Sequence, residues 1–303
     1  MRGRFAPSPT GELHLGNLRT ALVSWLQARS EGGEWLVRME DLDRVTASAE
    51  HEQGQLRALA ALGMEPDGAI VRQSERFDLY RAAIEQLRAM GRVYECFCTR
   101  REIREAAQAP HGDLPDGAYP GTCRRLTATA RARLIEQGRR PALRLRTEGE
   151  RFLVHDLIAG DYDGGTDDVV LQRNDGVPAY NLAVVVDDAA QGITHVVRGD
   201  DLLSSTPRQR LLQQLLGLPE PAYAHVPLVL APDGTRLAKR HGAVTLGDLA
   251  ARGVAPAAVL ARLGASLGLC VPDEPVTAAE LVARFHLDRV PREPWFLAAS
   301  ELR

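Results

Sequence analysis

Apolar positions recur at helical spacing near the N-terminus, where Leu18, Ala21, Leu22, Trp25 and Leu26 share one face of a helix predicted to start at about Leu15. Before it, Gly3 to Ala6 reads as a short strand, ended by Pro7 and Pro9, which cannot continue a central ladder. Gly11 permits a turn. Trp35 to Met39 reads as a second strand, and Ala83 to Met90 lies in another amphipathic helix. This strand–helix alternation predicts an α/β fold, a parallel sheet with crossover helices.

Residues 92–175 break the rhythm. They hold three of the four cysteines, a loop-like stretch at 109–117, and strand-like runs at Ala142 to Arg146 and Val169 to Gln172. The expectation is an inserted α+β module. Alternation then resumes, with a helical run from Tyr180 to Val186 and a strand from Ile193 to Val197. Thr206-Pro207-Arg208-Gln209 opens another helix with a cap, an early proline and a capping-box glutamine. Leu211, Leu212, Leu215 and Leu216 form its apolar face, and Gly217 stops it. Pro232-Asp233-Gly234 signals a turn between extended arms at 226–230 and 235–238. From Leu246 onward the chain reads as helical with proline breaks. The expected units are therefore 1–91 and 176–245 for the α/β body, 92–175 for the insertion, and 246–303 for a small helical element.

Composition narrows the classes. The chain of 303 residues is 45% hydrophobic and 25% charged, as folded domains are. No apolar run approaches a membrane span and no signal-peptide core follows Met1, so a cytoplasmic protein with no membrane partner is expected. Four cysteines are too few for a disulfide scaffold at this length, which leaves metal binding as the better reading of the clustered three. The net charge of −3 hides an asymmetry: Arg92 to Arg151 carries 13 arginines against 8 acids, a segment suited to a polyanion. Of the 37 basic residues only Lys239 is a lysine, which marks a place where a compact, mobile ammonium is wanted.

Three constellations carry candidate chemistry. In the first, the strand ending at Ala6 leads through a proline-pinned loop to His14-Leu15-Gly16-Asn17 at a helix start, where free N–H groups and a partial positive charge suit phosphate. In the second, Arg236-Leu237-Ala238-Lys239-Arg240 follows the Pro232-Asp233-Gly234 turn, so that Lys239 can follow charge building on a pyrophosphate. The third is Cys96-Phe97-Cys98 with Tyr119-Pro120-Gly121-Thr122-Cys123. Three thiolates and a fourth group suit closed, tetrahedral zinc, and donor chemistry alone nominates His111 as the fourth ligand.

The first two motifs, 225 residues apart from His14 to Lys239, together resemble the His-Ile-Gly-His and Lys-Met-Ser-Lys-Ser signatures of class I aminoacyl-tRNA synthetases. Arg4 through Gly11, Met39 through Arg44, Tyr180 through Asp188 and Val197 through Asp201 narrow the resemblance to the glutamyl-tRNA synthetase group. The resemblance, over roughly residues 2–250, implies a Rossmann-like catalytic domain. It implies glutamate binding by Arg4, Ser8, Glu40, Tyr180 and Arg198. It also implies ATP handling, with magnesium, by His14, Gly16, Asn17, Arg236 and Lys239. A substrate with two carboxylates and one ammonium suits two guanidiniums, one acid and some hydroxyls. Three positions depart from the family pattern: Asn17, Arg236 and Ala238 stand where a histidine, a lysine and a serine are usual.

Full-length glutamyl-tRNA synthetases continue into a helical anticodon-reading domain. This chain ends at Arg303, so no anticodon-binding domain is expected, and the resemblance narrows to shortened relatives that glutamylate queuosine in the anticodon loop of tRNA(Asp). In those relatives Cys-x-Cys and Tyr-x3-Cys occupy the insertion, which implies Cys96, Cys98, Tyr119 and Cys123 as ligands of one structural zinc. The expected partners are L-glutamate, ATP and queuosine-bearing tRNA(Asp), and the expected state is a monomer. Three other readings stay open at this point: a shortened enzyme that charges the tRNA 3′ end, a nucleotidyltransferase that does not act on tRNA, and a catalytically silent zinc-containing RNA-binding module.

Overall fold

The computed structural model describes residues 1–99, 101–103, 118–235, 237 and 244–297. Strand β1 (Arg2–Phe5) pairs in parallel with β2 (Glu34–Met39), which pairs in parallel with β3 (Val71–Arg72). Helix α1 (Leu15–Ser30) crosses between the first two strands, and α2 (Ala49–Ala61) between the second and third. Four strands make a second sheet: β6 (Arg151–Asp156), β7 (Gly160–Gly165), β9 (His195–Gly199) and β10 (Ala222–Val226), in the order β7-β6-β10-β9. Its β9 runs beside β1, where Thr194 donates its N–H to the Arg2 carbonyl at 2.9 Å.

The predicted parallel sheet is therefore present, and it turns back on its strand order between β1 and β9. In such sheets the crevice outside the carboxyl ends at that switch point is where ligands bind. The hairpin β6–β7 lies inside the segment read as an insertion, yet β6 joins β10 in the parallel direction, at Asp156 opposite Tyr223. Residues 151–165 thus belong to the same sheet as β9 and β10. A separate antiparallel sheet, β4 (Val93–Cys96), β5 (Ala142–Leu145) and β8 (Val170–Gln172), forms in the order β4-β5-β8, with α4 (Ala128–Glu136) leading into β5.

Helices α3 (Phe77–Ala89), α5 (Tyr180–Ala190) and α6 (Thr206–Leu216) bury Leu87, Leu182, Leu211 and Leu212 in one core that also takes Leu145 and Leu171. Gly217 ends α6 with φ 66°, the left-handed cap its position predicts. The predicted capping box at its start does not form. Ser205 is the cap, in helical conformation because a 3-10 turn runs straight into α6, and the Thr206 hydroxyl and Gln209 amide face inward instead.

Helices α7 (Leu246–Ala251), α8 (Pro256–Ala265) and α9 (Ala278–Arg284) pack Leu249, Leu263 and Leu281 into the core that α1 shares. Pro256 opens α8, where no N–H is missed. Arg19 of α1 is buried and braces this packing, donating to Ser266 Oγ at 3.1 Å and to the Pro227 carbonyl at 2.9 Å. Burial pulls its guanidinium down to about 10. A short parallel pair, β11 (Val229–Leu230) with β12 (Trp295–Phe296), ties the far end of the chain to the body. Among the described residues, no helix is long and apolar enough to cross a membrane.

Candidate active site and thiolate cluster

Three parallel strands deliver charge to one crevice. Arg4 lies one residue before the end of β1, Glu40 one residue beyond β2, and Arg198 one residue before the end of β9. Tyr180, the first residue of α5, senses all three: burial pushes its phenol up, Glu40 adds to that, and Arg198 and Arg4 oppose it. Four of the five residues expected to hold glutamate thus share one electrostatic environment. The fifth, Ser8, is exposed on the connecting loop, and its carbonyl accepts the Gln55 side-chain amide at 3.0 Å. Gln55 donates to the Gly11 carbonyl as well, at 2.7 Å. It is a clamp from α2 that the sequence reading missed, because nothing in residues 51–58 sets this glutamine apart from its polar neighbours.

The two arginines sit in different company. Arg4 Nε donates to Asp188 Oδ1 at 3.2 Å, and the buried Arg38 Nη1 donates to the same oxygen at 2.7 Å. Arg38 also reaches Glu40 at 3.4 Å. Behind it, Asp187 accepts from Gln73 at 3.0 Å, Arg76 at 2.6 Å and the Tyr80 hydroxyl at 2.7 Å. Burial raises the Glu40 carboxyl above its ordinary value, although Arg38 and Arg4 pull the other way.

Arg198, by contrast, is 5% exposed with no acid in contact among the described residues. Its Nε donates to His225 Nε2 at 3.0 Å, Nη1 to Gln209 Oε1 at 2.7 Å, and Nη2 to Thr206 Oγ1 at 2.9 Å. The guanidinium also lies 5.4 Å from the centre of the Tyr223 ring. These positions of Thr206 and Gln209 explain why no capping box forms: both side chains serve Arg198.

At the phosphate-like end, His14 is the N-cap of α1. Its Nδ1 accepts the Gly16 N–H at 3.1 Å and the Asn17 N–H at 3.3 Å, while Asn17 Oδ1 accepts the His14 N–H at 3.2 Å. With Nδ1 an acceptor, the ring proton sits on Nε2, and burial keeps the imidazole below its ordinary value and neutral. A Cβ on Gly16 would meet the His14 ring at 3.0 Å, so only glycine fits beneath it without a shift. Arg236 and Lys239 lie outside the described residues. On either side of Lys239, Leu237 and Val244 are buried, and the Val244 carbonyl accepts the Leu15 N–H at 3.0 Å. The chain at Val244 is therefore fastened to the helix that His14 caps.

The thiols of Cys96, Cys98 and Cys123 lie within 4.8 Å of one another. Tyr119 Oη is 3.3 Å from Cys96 Sγ and 3.4 Å from Cys98 Sγ, and Cys98 and Cys123 are 3.4 Å apart at sulfur. A tetrahedron with metal–sulfur bonds of ~2.3 Å has sulfurs about 3.8 Å apart, so these four atoms fit a zinc-sized centre with small adjustments. His111 lies outside the described residues. The Tyr119 hydroxyl accepts the Cys123 N–H at 2.8 Å, and Arg144 stacks 3.7 Å from the centre of its ring. The groups titrate together: hydrogen bonds from Cys123 and Cys98 draw the Cys96 thiol far below its ordinary value, while hydrogen bonds from Cys123 and Cys96 push the Cys98 thiol up and burial pushes up the Tyr119 phenol. Beside the cluster, a cleft of about 260 Å³ is lined by Arg88, Arg124, Arg131 and Arg146 with the single acid Glu95. Cys270, the fourth cysteine, is half-buried and donates to the Ala261 carbonyl at 3.3 Å.

The whole chain, residues 1–303, matches the family described as tRNA synthetases class I (E and Q), catalytic domain. It is 60% identical to a glutamyl-Q tRNA(Asp) synthetase of Nocardia farcinica, over 99% of this chain and 94% of that protein. It is 40% identical to glutamate–tRNA ligase 1 of Caldanaerobacter subterraneus, over 97% of this chain and 62% of that one. The crystal structure of a glutamate tRNA ligase from Elizabethkingia meningosepticum, in complex with its amino acid, superposes with a TM-score of 0.84 at 29% identity, covering 100% of this chain and 68% of its own.

Proposed function

The chain belongs to the class I tRNA synthetases for E and Q, glutamate and glutamine, through their catalytic domain, and from that premise we infer that it activates L-glutamate with ATP and transfers it to queuosine at the wobble position of tRNA(Asp). The observation that carries the amino-acid half is Arg198, a buried cation whose partners are all neutral. Burying an uncompensated charge is costly, and a substrate carboxylate relieves that cost. One of its five N–H groups has no partner among the described residues and another makes only a 3.4 Å contact to the Leu202 carbonyl, so a carboxylate can take both. The acceptor half rests on likeness to the Nocardia farcinica protein, 60% identical to this chain against 40% for the glutamate–tRNA ligase over a similar share of it.

On this reading Glu40 attracts the substrate ammonium, Arg4 and Arg198 take the two carboxylates, and Tyr180 and Ser8 complete the pocket. The α-carboxylate attacks the α-phosphorus of magnesium-bound ATP, the bond to pyrophosphate breaks, and glutamyl-adenylate forms. His14 donates from Nε2 to phosphate oxygen, Gly16 and Asn17 shape the start of α1, and Arg236 and Lys239 meet the departing pyrophosphate. A hydroxyl of the queuosine diol then attacks the acyl carbon, and AMP leaves. These steps need positioning and charge stabilisation and no covalent enzyme intermediate. The catalytic body is 1–91 with 176–245, joined by the β6–β7 hairpin; the rest of 92–175 is the RNA-facing module, and 246–303 the helical brace. In that module Cys96, Cys98, Tyr119 and Cys123 hold one zinc ion, which supplies a closed, structural cross-link. The arginine-lined cleft beside it suits the phosphates of the anticodon loop.

Transfer of labelled glutamate to tRNA(Asp) with and without queuosine, alongside tRNA(Glu), tests this reading. Label confined to queuosine-bearing tRNA(Asp) supports it; label on tRNA(Glu) makes the protein a charging enzyme instead. Metal analysis should find one zinc per chain, lost in Cys98→Ser.

A further inference from the structure

Behind Arg198 the sheet register lines up a second, fully buried set of polar groups. His225 on β10 is the direct partner of Arg198 on β9, and Asp156 on β6 is opposite Tyr223, two residues before His225 on the same strand. The three side chains join across neighbouring strands. Asp156 Oδ2 lies 2.5 Å from His225 Nδ1, and Arg198 Nε–H donates to His225 Nε2 at 3.0 Å. His225 is 0% exposed and Asp156 6%. Tyr223 stacks against the imidazole at 6.2 Å, almost parallel, closing its flank.

The protonation pattern is forced. Asp156 Oδ1 already accepts three backbone N–H groups, from Ile158 at 3.0 Å, Ala159 at 2.8 Å and His225 at 3.0 Å. Only Oδ2 is left for the imidazole, so Nδ1 carries the proton and Nε2 presents a lone pair to Arg198. Burial favours the neutral ring, against the opposing pull of Asp156. A protonated ring would set two N–H donors face to face at the Arg198 contact.

We propose that Asp156 and His225 are positioning residues for amino-acid recognition, an acid–imidazole pair that fixes the orientation of Arg198 while keeping negative charge one ring away from it. A carboxylate in direct contact with Arg198 would orient it equally well but would neutralise it and compete with the substrate anion. An imidazole lone pair orients without neutralising. The arrangement parallels the buried carboxylate that sets a histidine tautomer in hydrolase triads, here aimed at a guanidinium and not at a nucleophile. The inference rests on Arg198 as a carboxylate-binding residue of the proposed activation step.

Asp156→Asn tests it with almost no change of volume. Because three N–H groups hold the oxygen at the Oδ1 position, the new amide NH2 must face His225 Nδ1, which inverts the tautomer and turns Nε2–H toward Arg198. We expect the KM for glutamate in glutamate-dependent ATP–pyrophosphate exchange, run with and without tRNA(Asp), to rise at least tenfold while the KM for ATP stays within twofold. His225→Asn keeps a donor for Asp156 and loses the acceptor for Arg198, so it should raise the glutamate KM similarly. His225→Gln restores an oxygen near the Nε2 position and should recover most of the affinity.

A glutamate KM within twofold of wild type in both Asp156→Asn and His225→Asn overturns the proposal. So does a loss of kcat and melting temperature that leaves the ratio of the two KM values unchanged in all three variants, which is what a purely structural role produces. Wild-type protein that exchanges pyrophosphate with an amino acid other than glutamate sinks the proposed substrate but leaves the variant comparison readable with that amino acid.

Discussion

The two sides of the crevice solve the burial of arginine in opposite ways. On the β1–β2 side, Arg4 and Arg38 share Asp188, and Glu40 and Asp187 complete a network of alternating charge. On the β9–β10 side, Arg198 is equally buried but held by an imidazole, an amide, a hydroxyl and a carbonyl. A buried ion pair loses heavily when one partner goes, because the other is left uncompensated. A buried cation with neutral partners has that deficit from the start. The first arrangement is compensated before any substrate arrives, even though Arg4 and Glu40 also serve the proposed site, and the second stores an attraction that only an arriving anion satisfies.

Removing the shared acid should show the largest effect. Asp188→Asn leaves Arg38 and Arg4 without their common partner, and we expect a loss of about 4 kcal/mol in folding stability by chemical denaturation. Arg198→Met should do the reverse. Its loss appears in catalysis, about 3 kcal/mol or roughly a hundredfold in kcat/KM for glutamate, while folding stability falls by less than about 2 kcal/mol, since Thr206 and His225 can then bond each other across 3.4 Å. If Arg198→Met unfolds the protein and Asp188→Asn does not, the contrast between the two sides is wrong.

Smaller changes sharpen it. Thr206→Val deletes one neutral acceptor of Arg198 and should raise the glutamate KM about fivefold, corresponding to roughly 1 kcal/mol for one hydrogen bond. The weakest effect concerns acid. Burial raises the Glu40 carboxyl above its ordinary value, and only the ionised form attracts the substrate ammonium. As pH falls, 1/KM for glutamate should therefore decline in a range above that of an ordinary carboxylate, and Glu40→Gln should flatten that limb.

Much of the frame was legible because it follows local rules. The start of α1 at Leu15, its cap at His14 and the stop of α6 at Gly217 depend on residues within one or two turns. What stayed hidden depends on pairing across the chain. Asp156 and His225 are separated by 69 positions, and no local pattern links them. The β6–β7 hairpin, with its glycines and acids, carries too weak an alternation to announce that it extends the main sheet. Thr206 and Gln209 mislead for a related reason: a spacing that satisfies a helix start equally satisfies a guanidinium one strand away. Helix α2 was missed although Ser48 caps it, since only Gln55 and Leu59 of its 13 residues are buried and its pattern is faint.

The cap at His14 also bears on turnover. An imidazole whose Nδ1 is held by two amides cannot rotate freely, so it meets ATP already aimed and little freedom is lost on contact. It is also neutral, and a neutral donor releases as readily as it receives. When pyrophosphate departs, the start of α1 offers it a hydrogen bond and a helix dipole but no fixed ion pair, so on the proposed reading this corner of the site gives direction to the leaving group without retaining it.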